Sequence, residues 1–147
     1  MKKLLYLSVI CVLFGVSLCT SCSIETSDNG KLDGFWQLQQ VDTILTGGVT
    51  DMRDSMQFWA VQNDLLEIHE RISDWQIAFR FEHTGDSLIL SNPCYDIREE
   101  SDVIVDDPTP LNRFGIYHLR EPFYVARLSS SRMELKSDRL VMKFRRY

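Results

Sequence analysis

The chain has 147 residues, with 16 basic against 21 acidic side chains, a formal net charge of −5 and 44% hydrophobic residues. Its length suits one domain around one hydrophobic core. The negative balance repels nucleic acid and anionic lipid head groups, so neither is an expected partner.

The first element is an export segment. Lys2 and Lys3 precede an apolar run from Leu4 to Leu18, and Cys19-Thr20-Ser21-Cys22 follows. A basic start and a short apolar run make a secretory signal, because the run falls short of the roughly 20 residues that a spanning helix needs. The small residues Thr20 and Ser21 suit a signal peptidase that cuts just before a lipidated cysteine, so Cys22 is the expected lipid acceptor. Cys19 stands where such a signal normally carries Leu, and the large Leu18 before it makes it the poorer acceptor. An ordinary cleaved signal without lipid is the alternative. Ser23, rather than Asp, follows the acceptor. By analogy with known lipoprotein sorting this favours the outer membrane, with the periplasmic or surface face left open. Several acyl chains on one cysteine, at ~0.8 kcal/mol per buried CH₂, would hold the protein to the membrane almost permanently. The expected organisation is a signal peptide over 1–21, a flexible tether over 22–31 and a folded domain over 32–147. Acylation leaves Cys94 as the one mature thiol, so the domain must stand on its core without an internal disulfide.

Beyond the tether, alternation with period two dominates. Phe35 to Thr43 reads as the first strand, and Leu45 to Asp54 as a Gly-containing loop. Between Met56 and Arg71 the apolar residues change parity at Asn63-Asp64, from Trp59 and Val61 to Leu66 and Ile68. One bulged strand and two strands joined by a turn both explain that change, and either Phe58 or Trp59 is the large inward candidate there. Trp75, Ile77, Phe79 and Phe81 share a face of the clearest strand, with Gln76, Arg80 and Glu82 on the other. Thr84-Gly85-Asp86 turns this strand back through Leu88 and Leu90. Asn92 to Glu121 is too long for a plain connection; its middle is acidic, and Leu111 to Leu119 is apolar enough to pack as a short helix or plug. Phe123 to Leu128, then Met133 and Leu135, then Leu140, Met142 and Phe144 mark three final strands. The prediction is an all-β fold: an antiparallel up-and-down barrel of about eight strands, with a long loop or short helix before the last three.

Gly34-Phe35-Trp36 at the start of the first strand resembles the Gly-x-Trp opening of lipocalins. Together, Leu32 to Trp36, the hairpin from Phe81 to Leu88 and the ending Phe144-Arg145-Arg146-Tyr147 resemble the small lipocalin-like (calycin) lipoproteins of Gram-negative bacteria, a family largely without assigned function. The resemblance covers roughly Leu32 to Tyr147. It implies a calycin barrel in which Trp36 closes the floor and a late arginine packs across it. Arg146 shares the face of Leu140, Met142 and Phe144 and suits that role, whereas Arg145 points the other way. A cation over an indole contributes ~0.5–2 kcal/mol, so this pair would be structural.

The candidate chemistry is binding. Trp59, Trp75, Ile77, Phe79, Phe81, Met142 and Phe144 are the expected lining of an apolar pocket, unless they simply fill the interior of so narrow a barrel. His69, His83 and His118 have no ligand spacing for zinc, and His83, beside a turn, reads as a satisfied rim histidine. The acids of the 96–107 stretch lack the positional pattern of a calcium loop. No Gly-x-Ser-x-Gly elbow surrounds any serine, so no catalytic residue, metal or cofactor is expected. The leading expectation is a lipid-anchored envelope protein, not an enzyme, that binds a small apolar or amphipathic ligand. The alternative is a non-enzymatic interaction module, or an accessory subunit of an outer-membrane complex, built on a filled barrel.

Overall fold

The computed structural model describes residues 27–95 and 103–147. The expected signal peptide, Cys22 and the acids Asp96, Glu99, Glu100 and Asp102 lie outside these residues. The strands are β1 (Gly34–Thr43), β2 (Val49–Asp51), β3 (Gln57–Gln62), β4 (Leu65–Glu70), β5 (Trp75–Thr84), β6 (Ser87–Tyr95), β7 (Val103–Ile104), β8 (Glu121–Leu128), β9 (Arg132–Lys136) and β10 (Leu140–Arg146). All pairings are antiparallel, in the order β10-β9-β8-β6-β5-β4-β3-β1, and β10 returns to pair with β1. Eight strands therefore close a barrel, while β2 extends β1 and β7 extends β6. The all-β barrel predicted from alternation is the fold observed.

Closing so few strands requires sharp bending. Register shifts between Leu38 and Gln40, Ala78 and Arg80, and Val125 and Arg127 supply it, because a bulge bends its strand and increases the local twist. The floor of the barrel holds the start of β1 and the end of β10. Its mouth holds the β1–β3 connection, the β4–β5 turn and the long β6–β8 connection.

The parity change at Asn63-Asp64 is a turn between two strands, with Asn63 at φ 55°. It settles which aromatic of the Phe58-Trp59 pair faces inward. Trp59 is fully buried in the core, its ring 4.9 Å from Phe144 and 6.0 Å from Phe123. Phe58 faces outward and is buried there instead, stacked on Phe35 at 4.9 Å with Tyr147 edge-on at 5.3 Å.

The long connection closes the mouth. Val105 is buried, and a 3-10 helix over Thr109–Phe114 sends Leu111 and Phe114 inward, followed by Ile116. Asp107 accepts hydrogen bonds from the backbone and hydroxyl of Thr109, which fixes the turn that starts this helix. Gly115 ends it at φ 77°. A Cβ there would stand 3.0 Å from Leu140 Cδ1 and 3.3 Å from Met142 Cε, so only glycine lets the helix seat this deeply. The sequence anticipates a plug in this region, and the plug is part of the core.

Candidate functional site

The floor is built around Trp36. Its indole is fully buried, and Nε1 donates to the Leu32 carbonyl at 2.8 Å. The Arg146 guanidinium lies 4.8 Å over the ring and donates to the carbonyls of Lys31 and Asp33. Arg145 points outward, 3.5 Å from Gln37 Oε1. The glycine two residues before Trp36 has a physical reason. Gly34 sits at φ 126°, and a Cβ there would stand 2.9 Å from Arg146 Nη2. Gly34→Ala is therefore expected to destabilise by about 1–3 kcal/mol, read as a lower urea midpoint.

Residues 27–31, the end of the expected tether, fold onto this floor. Gly30–Leu32 form a 3-10 turn that buries Leu32 completely. Ser27 and Asn29 both donate to Asp33 Oδ1, and Asn29 also donates to the Asn63 carbonyl at 2.6 Å. The chain thus enters the barrel at a fixed point.

Of the two expectations for the seven aromatic and aliphatic candidates, pocket lining or filled interior, the packing of most of them matches the second. Trp59, Ile77, Phe79, Met142 and Phe144 are buried core, and Phe81 packs half-buried against it. Trp75 sits at the rim, 39% exposed, with its ring 5.7 Å from Tyr95 and beneath Arg113 at 4.9 Å. An eight-stranded interior is just wide enough for side chains, and the plug adds its own from above.

Among the described residues, a cleft of about 220 Å³ opens at the mouth between β1, β2, the start of β10 and the plug helix. None of those seven residues borders it. Its apolar wall is Leu38, Val41, Met52, Phe114 and Leu140, and its polar groups include Gln57, Asn112 and Arg113. Gln57 is 2% exposed, and its Nε2 has no hydrogen-bond partner. Arg113, which borders the cleft, is paired with Glu70, and that carboxylate also accepts from Ser73. On β2 beside the cleft, side-chain and backbone hydrogen bonds from Arg53 hold the Asp51 carboxyl at about 2.

Glu121 fastens the plug. It is 1% exposed, and its Oε2 accepts from the backbone N–H groups of Tyr117 and His118, both at 2.8 Å. Arg139 covers Tyr117 at 4.5 Å. Neither Gln57 nor Glu121 figures among the expected site residues. Each has a legible signal, however: a polar residue in phase with an apolar strand face, Gln57 with Trp59 and Val61, and Glu121 with Phe123 and Val125.

The buried Nε2 of His83 has no partner, where the sequence suggests a satisfied histidine. Among the described residues no three His, Cys, Asp or Glu side chains are placed to hold a metal ion.

An eight-stranded antiparallel barrel, floored by a 3-10 turn and by a tryptophan beneath an arginine, defines a lipocalin-like calyx. The chain belongs to the lipocalin-like domain family, whose profile matches residues 16–147. A lipocalin-like protein from Bacteroides uniformis aligns with a TM-score of 0.62 at 20% identity, over 80% of this chain and all of that one. An uncharacterized protein from Bacteroides eggerthii aligns with a TM-score of 0.56 at 16% identity, over 78% of this chain and 98% of that one. At such identities the likeness shows the fold alone. No curated protein matches the sequence.

Proposed function

We propose that the protein is anchored to the outer membrane through acylated Cys22 and binds one small amphipathic molecule in the mouth cleft. The observation that carries the binding reading is the Gln57 amide, buried against an apolar wall with no acceptor. A buried donor left unpaired costs about 1–3 kcal/mol, and a ligand oxygen reaching it recovers that cost. The apolar part of the ligand then lies on Leu38, Val41, Phe114 and Leu140. The cleft volume of about 220 Å³ falls below the roughly 300–1,000 Å³ of drug-sized sites, so the ligand is a short molecule with a carbonyl or carboxylate. The supports for anchoring are the signal residues before Cys22 and the chain's fixed entry at the floor.

Native mass spectrometry of the full chain, extracted in detergent from its own host, tests the binding reading. The expected result is a small adduct that weakens at least about tenfold in Gln57→Leu, while the thermal midpoint holds or rises because an unpaired polar group is gone. A wild-type protein that carries no adduct sinks the reading. That result would favour the second one, an interaction module, which draws on the exposed Ile44, Leu45, Val49 and Ile72 around the mouth.

A further inference from the structure

The net charge is negative, but most of the cations left without an ion pair gather on one wall. Among the described residues, several cations make no ion pair within 4 Å of a carboxylate. Apart from Arg71, these are Lys31, Arg127, Arg132, Lys136, Arg145 and the floor clasp Arg146, whereas Arg53, Arg80, Arg113, Arg120, Arg139 and Lys143 are paired. Lys31 stands at the floor and Arg146 faces inward over Trp36, while Arg127, Arg132, Lys136 and Arg145 lie on β8, β9 and β10. Alternation turns Arg132 and Lys136 outward, away from buried Met133 and Leu135, and turns Arg145 outward beside buried Phe144.

Arg145 and Arg132 are direct cross-strand partners. Like charges so placed repel, and neither has a carboxylate to relieve it. Glu134 is the one acid among the outward residues of β9 and β10, and it faces both Lys143 and Arg127. Exposed aromatics border the same wall. Tyr124, 54% exposed, pairs with Lys136, while Tyr147, 67% exposed, and Phe35, 38% exposed, flank the Arg145 end.

We infer that this wall, the outer face of β8–β10 with Phe35 and Tyr147, rests on the anionic lipid head groups of the membrane that anchors the chain. Two observations select that occupant. The first is charge: unpaired cations beside amphipathic tyrosines match a surface of phosphates over an apolar layer. Each cation near an anionic surface adds roughly fivefold in affinity. The second is reach. Ser27 is tied to the floor through Asp33, and five residues from Cys22 span at most about 18 Å. The floor end of the wall is thereby kept at the bilayer, whereas the mouth lies at the other end of strands of up to ten residues. This inference rests on the chain being held in the membrane at its N-terminal end.

The test uses the full chain in lipid nanodiscs, with hydroxyl-radical footprinting read by mass spectrometry. In phosphatidylglycerol-rich discs, oxidation of Tyr124 and Tyr147 is expected to fall at least about threefold relative to pure phosphatidylcholine discs, while Trp75 at the mouth is unchanged. The protection should disappear in Arg132→Gln/Arg145→Gln, and in about 0.5 M salt, where screening lengths drop to about 4 Å. Equal oxidation of both tyrosines in the two lipids overturns the inference. The intact mass of the same sample reads acylation of Cys22 separately. An acyl mass with equal oxidation removes the wall assignment alone. Protection without an acyl mass removes the lipid anchor and supports the wall.

Discussion

Trp36→Ala is expected to cost about 3–5 kcal/mol, measured by urea unfolding of the purified protein. The indole is fully buried, so truncation removes apolar area and leaves a void at the narrow end of the barrel. Two further losses follow. The Leu32 carbonyl loses the Nε1 donor at 2.8 Å, and Arg146 loses the ring beneath it at 4.8 Å. Trp36→Phe separates these terms, because it keeps most of the apolar volume while leaving the carbonyl unpaired, at about 1–3 kcal/mol. Arg146→Lys should cost less than either, since an ammonium retains charge but not the planar fork that spans Lys31 and Asp33. A Trp36→Ala loss under about 1 kcal/mol would mean that the floor is not a structural element.

Glu121→Leu carries the second large effect, about 3 kcal/mol, concentrated on the plug. The carboxylate is 1% exposed and accepts from two backbone N–H groups. Leucine matches the apolar phase of β8 but orphans both donors. By contrast, the Arg113–Glu70 pair holds the same plug with side chains 37% and 22% exposed, and such pairs contribute only about 0–1 kcal/mol. Arg113→Ala should therefore change little beside Glu121→Leu. The measurement is amide hydrogen exchange. In Glu121→Leu the segment from Val105 to His118 is expected to lose protection, while β3 to β5 keep theirs. Unchanged exchange at Tyr117 and His118 would remove Glu121 as the fastener.

The architecture was legible because a half-buried strand writes its period into the sequence. The alternation of Ile77, Phe79 and Phe81 marks β5, and that of Leu140, Met142 and Phe144 marks β10, each on the face that turns inward, while Trp75 at the start of β5 ends at the rim. Phe58 and Trp59 were not separable in that way. Both are large and apolar, and only the turn at Asn63 fixes the phase. The cleft was illegible for a different reason. Whether seven large side chains fill a barrel or line a hollow depends on its closed diameter and on what enters from the mouth. Leu111, Phe114 and Ile116 enter it, and no local pattern announces how deeply. Gln57 and Glu121 were visible as polar intruders on apolar faces, yet without a structure such residues read as ordinary strand ends.

The clasp at the floor joins groups 113 positions apart, Arg146 to Asp33, and β1 finds its second barrel neighbour only in β10. The first strand to emerge therefore waits for the last. Until then its free backbone edge is open to wrong pairing, and the loop to be closed is nearly the whole domain, a topology that folds slowly. Barrel closure thus waits for β10: until that strand is made, the other seven form an open sheet with two free edges.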